Sequence, residues 1–442
     1  MNCLPHQPTR RDAGFSLVEI MVALVLGLLV AAGIVSVFQS TFSSSRAQTQ
    51  LARLQEEGRF AIGRMRDDLL LANSQYCSNS GGNAARTSAG VYLDGLRAPT
   101  VYASDPNAIP DALSDVTTSW AAPATPFSLP SFLYMRGHDC TTAGCTPLDP
   151  HNMVASIPAM GKAVGMRVIG ASVLTIRYLD PQGGWAVVPS DTARGTKVQS
   201  AGTTGAITEI DLDPLPGEPE IAHFGANDLA YLSDCSNGRI FAVQGQGGSV
   251  LTPTGANFTA PQAMQGTAAP RLYDFDQDFL TVTYYLKVVD AGDGRTTGAL
   301  IRRVNGNSEE MVRGVERLDF RYGVINASGE TVFLSADQID KGVDAGGSSI
   351  PCPPDVPLPG GMPTAGCLWR AVNTIEVHML LDGQTPLYTL TPNELAYAYT
   401  IDGAFAPRAP STHAIKPSDQ GFPDQLLRRE FVTLVSLRNY NP

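Results

Sequence analysis

From Phe15 to Phe38 the chain runs for 24 residues with a single ionisable side chain, Glu19. At about 1.5 Å per residue, a helix of that length crosses a hydrocarbon core of about 30 Å. Lipid leaves few alternatives, because every backbone polar group in the bilayer must be satisfied within the segment itself. Arg10 and Arg11 precede the run, and the next charge after Glu19 is Arg46. This asymmetry predicts a cytoplasmic basic flank and an exported remainder.

A secretory signal would carry its small-residue cleavage site after the apolar run. Here the small residue, Gly14, stands before it. The series Gly14-Phe15-Ser16-Leu17-Val18-Glu19 resembles the processing site of type IV prepilins. The resemblance implies a prepilin peptidase that cuts after Gly14 and methylates Phe15, with residues 1–14 as leader. Glu19 then becomes the fifth mature residue. A carboxylate at bilayer depth costs roughly 2.5–3.5 kcal/mol on insertion scales, so it calls for a partner. In the family this sequence resembles, that partner is the N-terminal amine of a neighbouring subunit, which makes Glu19 an assembly residue. The plainer alternative is a single-pass anchor whose acid snorkels to the interface.

Without residues 1–14 the chain loses Arg10, Arg11 and Asp12, so 31 Lys+Arg becomes 29, 42 Asp+Glu becomes 41, and the net charge is −12. Such a balance argues against nonspecific nucleic-acid binding, which relies on basic residues at phosphates. Gly and Pro supply 75 of 442 residues (43 and 32), which predicts a turn-rich, β-rich head. The expected fold class is α+β and type IV pilin-like: a long N-terminal helix packed on an antiparallel sheet head with long loops. The expected domains are a leader at 1–14, a helix at 15–73 with 15–38 in the membrane, and a head at 74–442.

Between 38 and 99 there is no proline, and Leu51, Leu54, Ala61, Ile62, Met65, Leu69 and Ala72 recur at three- and four-residue spacing. They predict an amphipathic continuation of the helix, dissolving at Asn73. Arg53, Glu56, Glu57, Arg59, Arg64, Arg66, Asp67 and Asp68 read as its water- or subunit-facing side. Gly27, Gly33 and Gly58 are mild weak points, open to bending or to close packing. Residues 74–165 read as irregular with scattered strands. Strand patterns then sharpen at Val173 to Tyr178, Ile207 to Leu212, Leu229 to Leu232 and Ile240 to Val243. Thr281 to Val289, a turn at Asp290 to Arg295, and Ala299 to Val304 read as a hairpin.

Six cysteines follow the leader: Cys77, Cys140, Cys145, Cys235, Cys352 and Cys367. An even set in an exported head predicts disulfides, and six cysteines allow 15 pairings. Short loops favour Cys140 with Cys145 and Cys352 with Cys367, leaving Cys77 with Cys235, although the sequence does not choose uniquely. No C-x-x-C pair supports a zinc site, and no metal or other cofactor is expected. Asp274-Phe275-Asp276-Gln277-Asp278 begins like a calcium loop, but Phe279 replaces the required glycine and Tyr285 the final acid. No nucleophile elbow or zinc-protease motif occurs, so no catalytic residue is proposed and the chain is not expected to be an enzyme.

The segment from Tyr284 to Val324 and the final Leu427 to Asn439 resemble the sheet of PilW-like minor pilins and of the related J-type pseudopilins of type II secretion. The resemblance implies a minor pilin that helps prime pilus assembly at the tip, supporting adhesion and twitching motility. Implied partners are other minor pilins, the major pilin, the prepilin peptidase, the inner-membrane assembly platform and a tip adhesin. The implied location is the inner membrane with a periplasmic head, then the pilus at the cell surface. A type II secretion pseudopilin and a tip adhesin are the alternatives. Arg302 and Arg303 fall on opposite faces of one strand, so one is expected over the sheet and the other in solvent; Arg303, Arg313 or Arg317, if exposed, could contact a partner pilin.

Overall fold

The computed structural model describes Gly14 and residues 16–76, 99–104, 124–153, 157–221, 224–234, 238–263, 269–351, 366–388 and 390–438. It opens with one helix, Leu17–Leu71. Ser16 caps it: the Ser16 hydroxyl accepts from the Val18 amide at 3.3 Å, and the Ser16 amide donates to Glu19 Oε2 at 3.0 Å. Asn73 ends it, with φ of 62° in the left-handed region that closes many helices. The chain then joins the head directly, since the Asn73 amide donates to the Arg177 carbonyl and the Leu179 amide to that of Ser74.

The two halves of the helix have opposite fates. Its N-terminal half is apolar and exposed, with a mean hydropathy of 2.8 over its most apolar 18 residues, which is long and apolar enough to cross a membrane. In the second half Leu54, Ala61, Met65, Leu69 and Ala72 are buried against the head. Leu51, read as part of that stripe, is instead 40% exposed, while its neighbour Gln50 is buried and donates to the Thr385 carbonyl at 2.9 Å. Gly58 is a close-packing glycine: a Cβ there would stand 2.6 Å from the Phe431 ring. Gly27 and Gly33 touch nothing within 4 Å.

Two antiparallel sheets share one core with the helix. The six-stranded sheet runs in the order Asn307–Arg313, Arg295–Val304, Phe279–Gly292, Val173–Leu179, Met135–Cys140 and Cys145–Thr146. The four-stranded sheet runs Thr331–Leu334, Val315–Ile325, Thr374–Asp382 and Arg428–Ser436. The expected hairpin is there, with Thr283 opposite Arg303 and a turn in which Asp293 and Gly294 both take positive φ. At Gly298 the first sheet meets the second so closely that a Cβ would collide with the Val315 carbonyl oxygen.

The head is more divided than a single sheet. Among the described residues a further nine-stranded sheet includes Ile207–Asp211, Ala226–Ser233 and Gly238–Gln246; it adds Leu229, Tyr231, Ile240 and Ala242 to the core shared with the helix and buries a second core around Trp185, Phe241 and Leu272. Its strand Thr100–Val101 pairs in parallel with Gly238–Gln246; the other pairings in the three larger sheets are antiparallel. The result is an α+β chain with a helix docked on antiparallel sheets.

Candidate assembly site

At the entrance of the helix, Gly14 and Glu19 are exposed, while Phe15 lies outside the described residues. The Glu19 carboxylate closes the capping box on its own chain. It is therefore held at the helix start, where the positive end of the helix dipole favours an anion.

The far end of the same helix carries a buried charge that the sequence reading placed in solvent. Asp68 is buried, and it receives Arg302 through two bonds, Nε to Oδ2 at 2.6 Å and Nη2 to Oδ1 at 3.1 Å. Tyr178 donates to Oδ1 at 3.0 Å, and Tyr284 donates to Oδ2. Tyr284 and Arg302 are cross-strand partners, and Tyr178 comes from the next strand. Burial first, and then the Asp68 charge, push both phenols above their usual range. A carboxylate accepting four bonds from one guanidinium and two phenols is fully satisfied, which is the condition for keeping such a pair inside a core. This clamp fixes the rotation and height of the helix on the head. Its sequence signal was available: Asp68 stands seven residues after Ala61 and four before Ala72, on the buried stripe.

Arg302 is thus the inward arginine of its strand, and Arg303 the half-buried outward one. Arg317 is not exposed. It is buried between Asp319 at 3.0 Å and Asp402 at 3.3 Å, so it braces the head rather than reaching a partner. Arg313 pairs with Glu310 at 2.6 Å on the surface. A second buried pair ties the final strand to its sheet: Arg428 grips both oxygens of Glu316 at 2.7 and 2.9 Å, and its Nη1 donates to the carbonyls of Asp424 and Leu426.

Cys140 and Cys145 form a disulfide, and Cys367 is also disulfide-bonded. Cys77, Cys235 and Cys352, and with them the pairings Cys77–Cys235 and Cys352–Cys367, lie outside the described residues. In the segment Asp274 to Asp278 the carboxylates are spent on backbone amides: Asp274 on Asp276, Asp276 on Leu229 and Asp278 on Asp274. Among the described residues no group of three or more His, Cys, Asp or Glu is arranged to hold a metal.

Burial, more than neighbouring charge, raises Asp274, Asp276, Asp382 and Asp139 to about 7 and Asp278 to about 6. Unfolded, such groups titrate near 3.9, so between about pH 4 and 7 the native state holds more protons. Stability therefore falls as pH rises through that window. His378, raised through Glu430 and Glu376 against its burial, adds to the same trend. Asp402 and Glu430, lowered overall by hydrogen bonds despite burial, withdraw stability only below about pH 4. The melting temperature of the detergent-solubilised protein is expected to be higher at about pH 5.5 than at about pH 7.5, and Asp382→Asn should reduce the difference by that one group's share. A flat or reversed profile in the unmodified protein would remove these carboxylates as the cause.

Residues 283–439 match the family model described as Type IV Pilus-assembly protein W, and residues 9–35 match that of the prokaryotic N-terminal methylation motif. No curated protein and no solved structure matches the chain. The two matches, over parts of the chain, point to a type IV pilus-related pilin. Within that class they support a PilW-like minor pilin. The first match takes in Tyr284, Arg302, Glu316 and Arg428, so two of the three residues that grip Asp68, and the closing strand, fall inside the matched region, while Tyr178 lies before it.

Proposed function

We propose that this chain is a minor pilin that takes part in priming type IV pilus assembly, sits at the pilus tip and supports adhesion and twitching motility. Residues 1–14 are its leader, residues 15–73 its membrane and assembly helix, and residues 74–442 its head. Cleavage after Gly14 frees the amine of Phe15 for methylation. Glu19 pairs with the mature amine of a neighbouring pilin as helices leave the lipid. Its partners are the prepilin peptidase, the inner-membrane assembly platform, other minor pilins, the major pilin and a tip adhesin. The head faces the periplasm before assembly and the cell exterior afterwards.

The carrying observation is the division of one 55-residue helix into an exposed apolar half and a half clamped to the head. Such a helix can leave a bilayer and enter a bundle while the head keeps its orientation. Deletion of the gene, with complementation, tests the reading through surface-pilus counts and twitching. Loss of pili restored by the wild-type copy is the expected result. Normal pili with secreted enzymes trapped in the periplasm would replace it with a type II secretion role, and normal pili with failed attachment would leave only the adhesin role.

A further inference from the structure

Arg167 is fully buried, yet its Nη1 points at two uncharged atoms, the Sγ of Cys140 and the Sγ of Cys145, each at 3.4 Å. Its Nη2 donates to Asp149 Oδ1 at 2.7 Å, and its buried Nε has no hydrogen-bond partner. Burial lowers its pKa, with Asp149 opposing that shift. A guanidinium in a dry site gains little from disulfide sulfur, which is a weak acceptor. It would gain much more from a thiolate at the same place, because hydrogen bonds to an ionised acceptor are roughly twice as strong. Arg167 would therefore lower the cost of a thiolate at this pair.

We propose that Cys140–Cys145 is a thiol–disulfide exchange site, opened by an incoming dithiol, with Arg167 as the group that stabilises the leaving thiolate. Cys140 is buried and Cys145 is the more exposed of the two. A thiolate of the dithiol attacks Sγ of Cys145, the S–S bond breaks, and its electron pair leaves on Sγ of Cys140 beside Arg167. The second thiolate then attacks the mixed disulfide and releases Cys145, which takes a proton. The dithiol ends as a disulfide, the cysteine pair gains two electrons, and the remaining proton goes to solvent. The loop survives opening because other bonds hold it. Cys140 and Cys145 are strand partners, the Thr141 amide donates to the Gly144 carbonyl at 2.8 Å, and His138 Nδ1 lies 3.0 Å from the Leu148 carbonyl. Asp149 anchors the next residues through Arg167. The pair can therefore reclose without a search.

The test uses the full-length protein in detergent, equilibrated at pH 7 in a series of glutathione redox buffers, quenched with acid, alkylated and digested with trypsin. Cys140 and Cys145 fall in one peptide, residues 137–162, apart from the other cysteines. Its doubly alkylated fraction reports this disulfide alone. Arg167→Met should raise the ratio of squared reduced glutathione to oxidised glutathione needed for half-reduction about tenfold, a potential about 30 mV lower. Asp149→Asn should lower that ratio, because it removes the carboxylate that competes with the thiolate for the cation. Opposite shifts are expected. Shifts of both variants in the same direction, or within twofold of the wild type, would overturn the proposal. If Arg167→Met fails to fold, Asp149→Asn decides alone, and a wild-type midpoint in that variant overturns it.

Discussion

Arg302→Met and Asp68→Leu should each lower the stability of the protein by about 3–5 kcal/mol, because either change strands a charge in a closed core. With Arg302 gone, Asp68 keeps only the two phenols, and with Asp68 gone, Arg302 faces Tyr178 and Tyr284, which donate and do not neutralise. The double variant Asp68→Leu with Arg302→Met removes both charges together. It should lose much less than the sum of the single changes, since apolar replacement of a whole buried pair is often near neutral. Denaturant titration of the detergent-solubilised chain measures all three. Single losses below about 1 kcal/mol, or strict additivity in the double variant, would show that the clamp contributes little. The consequence reaches assembly, because a helix released from Arg302 no longer dictates where the head stands.

The second large effect is expected at Glu19, and two substitutions separate its local role from its proposed one. Glu19→Ala removes both the charge and the carboxylate that accepts the Ser16 amide; Glu19→Gln retains an acceptor for that amide and removes only the charge. Both variants should still be cleaved and exported. Each should be recovered from sheared surface filaments at about a tenth of the wild-type level or less, if pairing with a neighbour's amine is worth about 1.4 kcal/mol or more. Wild-type recovery of Glu19→Gln would assign the residue to helix capping and end the charge-pairing role.

Local features of the fold were legible where the physics is local. The proline-free stretch and the spacing from Leu51 to Ala72 announced a helix, though Leu51 itself stays exposed, and Asn73 marked its end. Alternation at Thr281 to Val289, with the Asp293-Gly294 turn, announced a hairpin whose partners follow from parity. Asp68 was misread because it adjoins Asp67 and lies amid charged neighbours, while its partner Arg302 stands 234 residues away. Single-sequence periodicity sees which face a residue occupies and cannot see what covers that face. Arg317, a candidate only if exposed, is covered for the same reason, since Asp402 reaches it from 85 residues further along the chain. The nine-stranded sheet was equally hidden: its order brings Arg271–Asp274 beside Ala226–Ser233 and Trp185–Ala186, pairings set by packing across long connections.

The central claim is that this helix is cut after Gly14 and carried into a filament with its head attached. Intact-mass spectrometry of the protein recovered from sheared surface filaments tests it most directly. The predicted result is a chain that begins at N-methylated Phe15 and extends through the head. A chain confined to the inner-membrane fraction and still bearing residues 1–14, or one that begins downstream of the apolar run, would contradict the account.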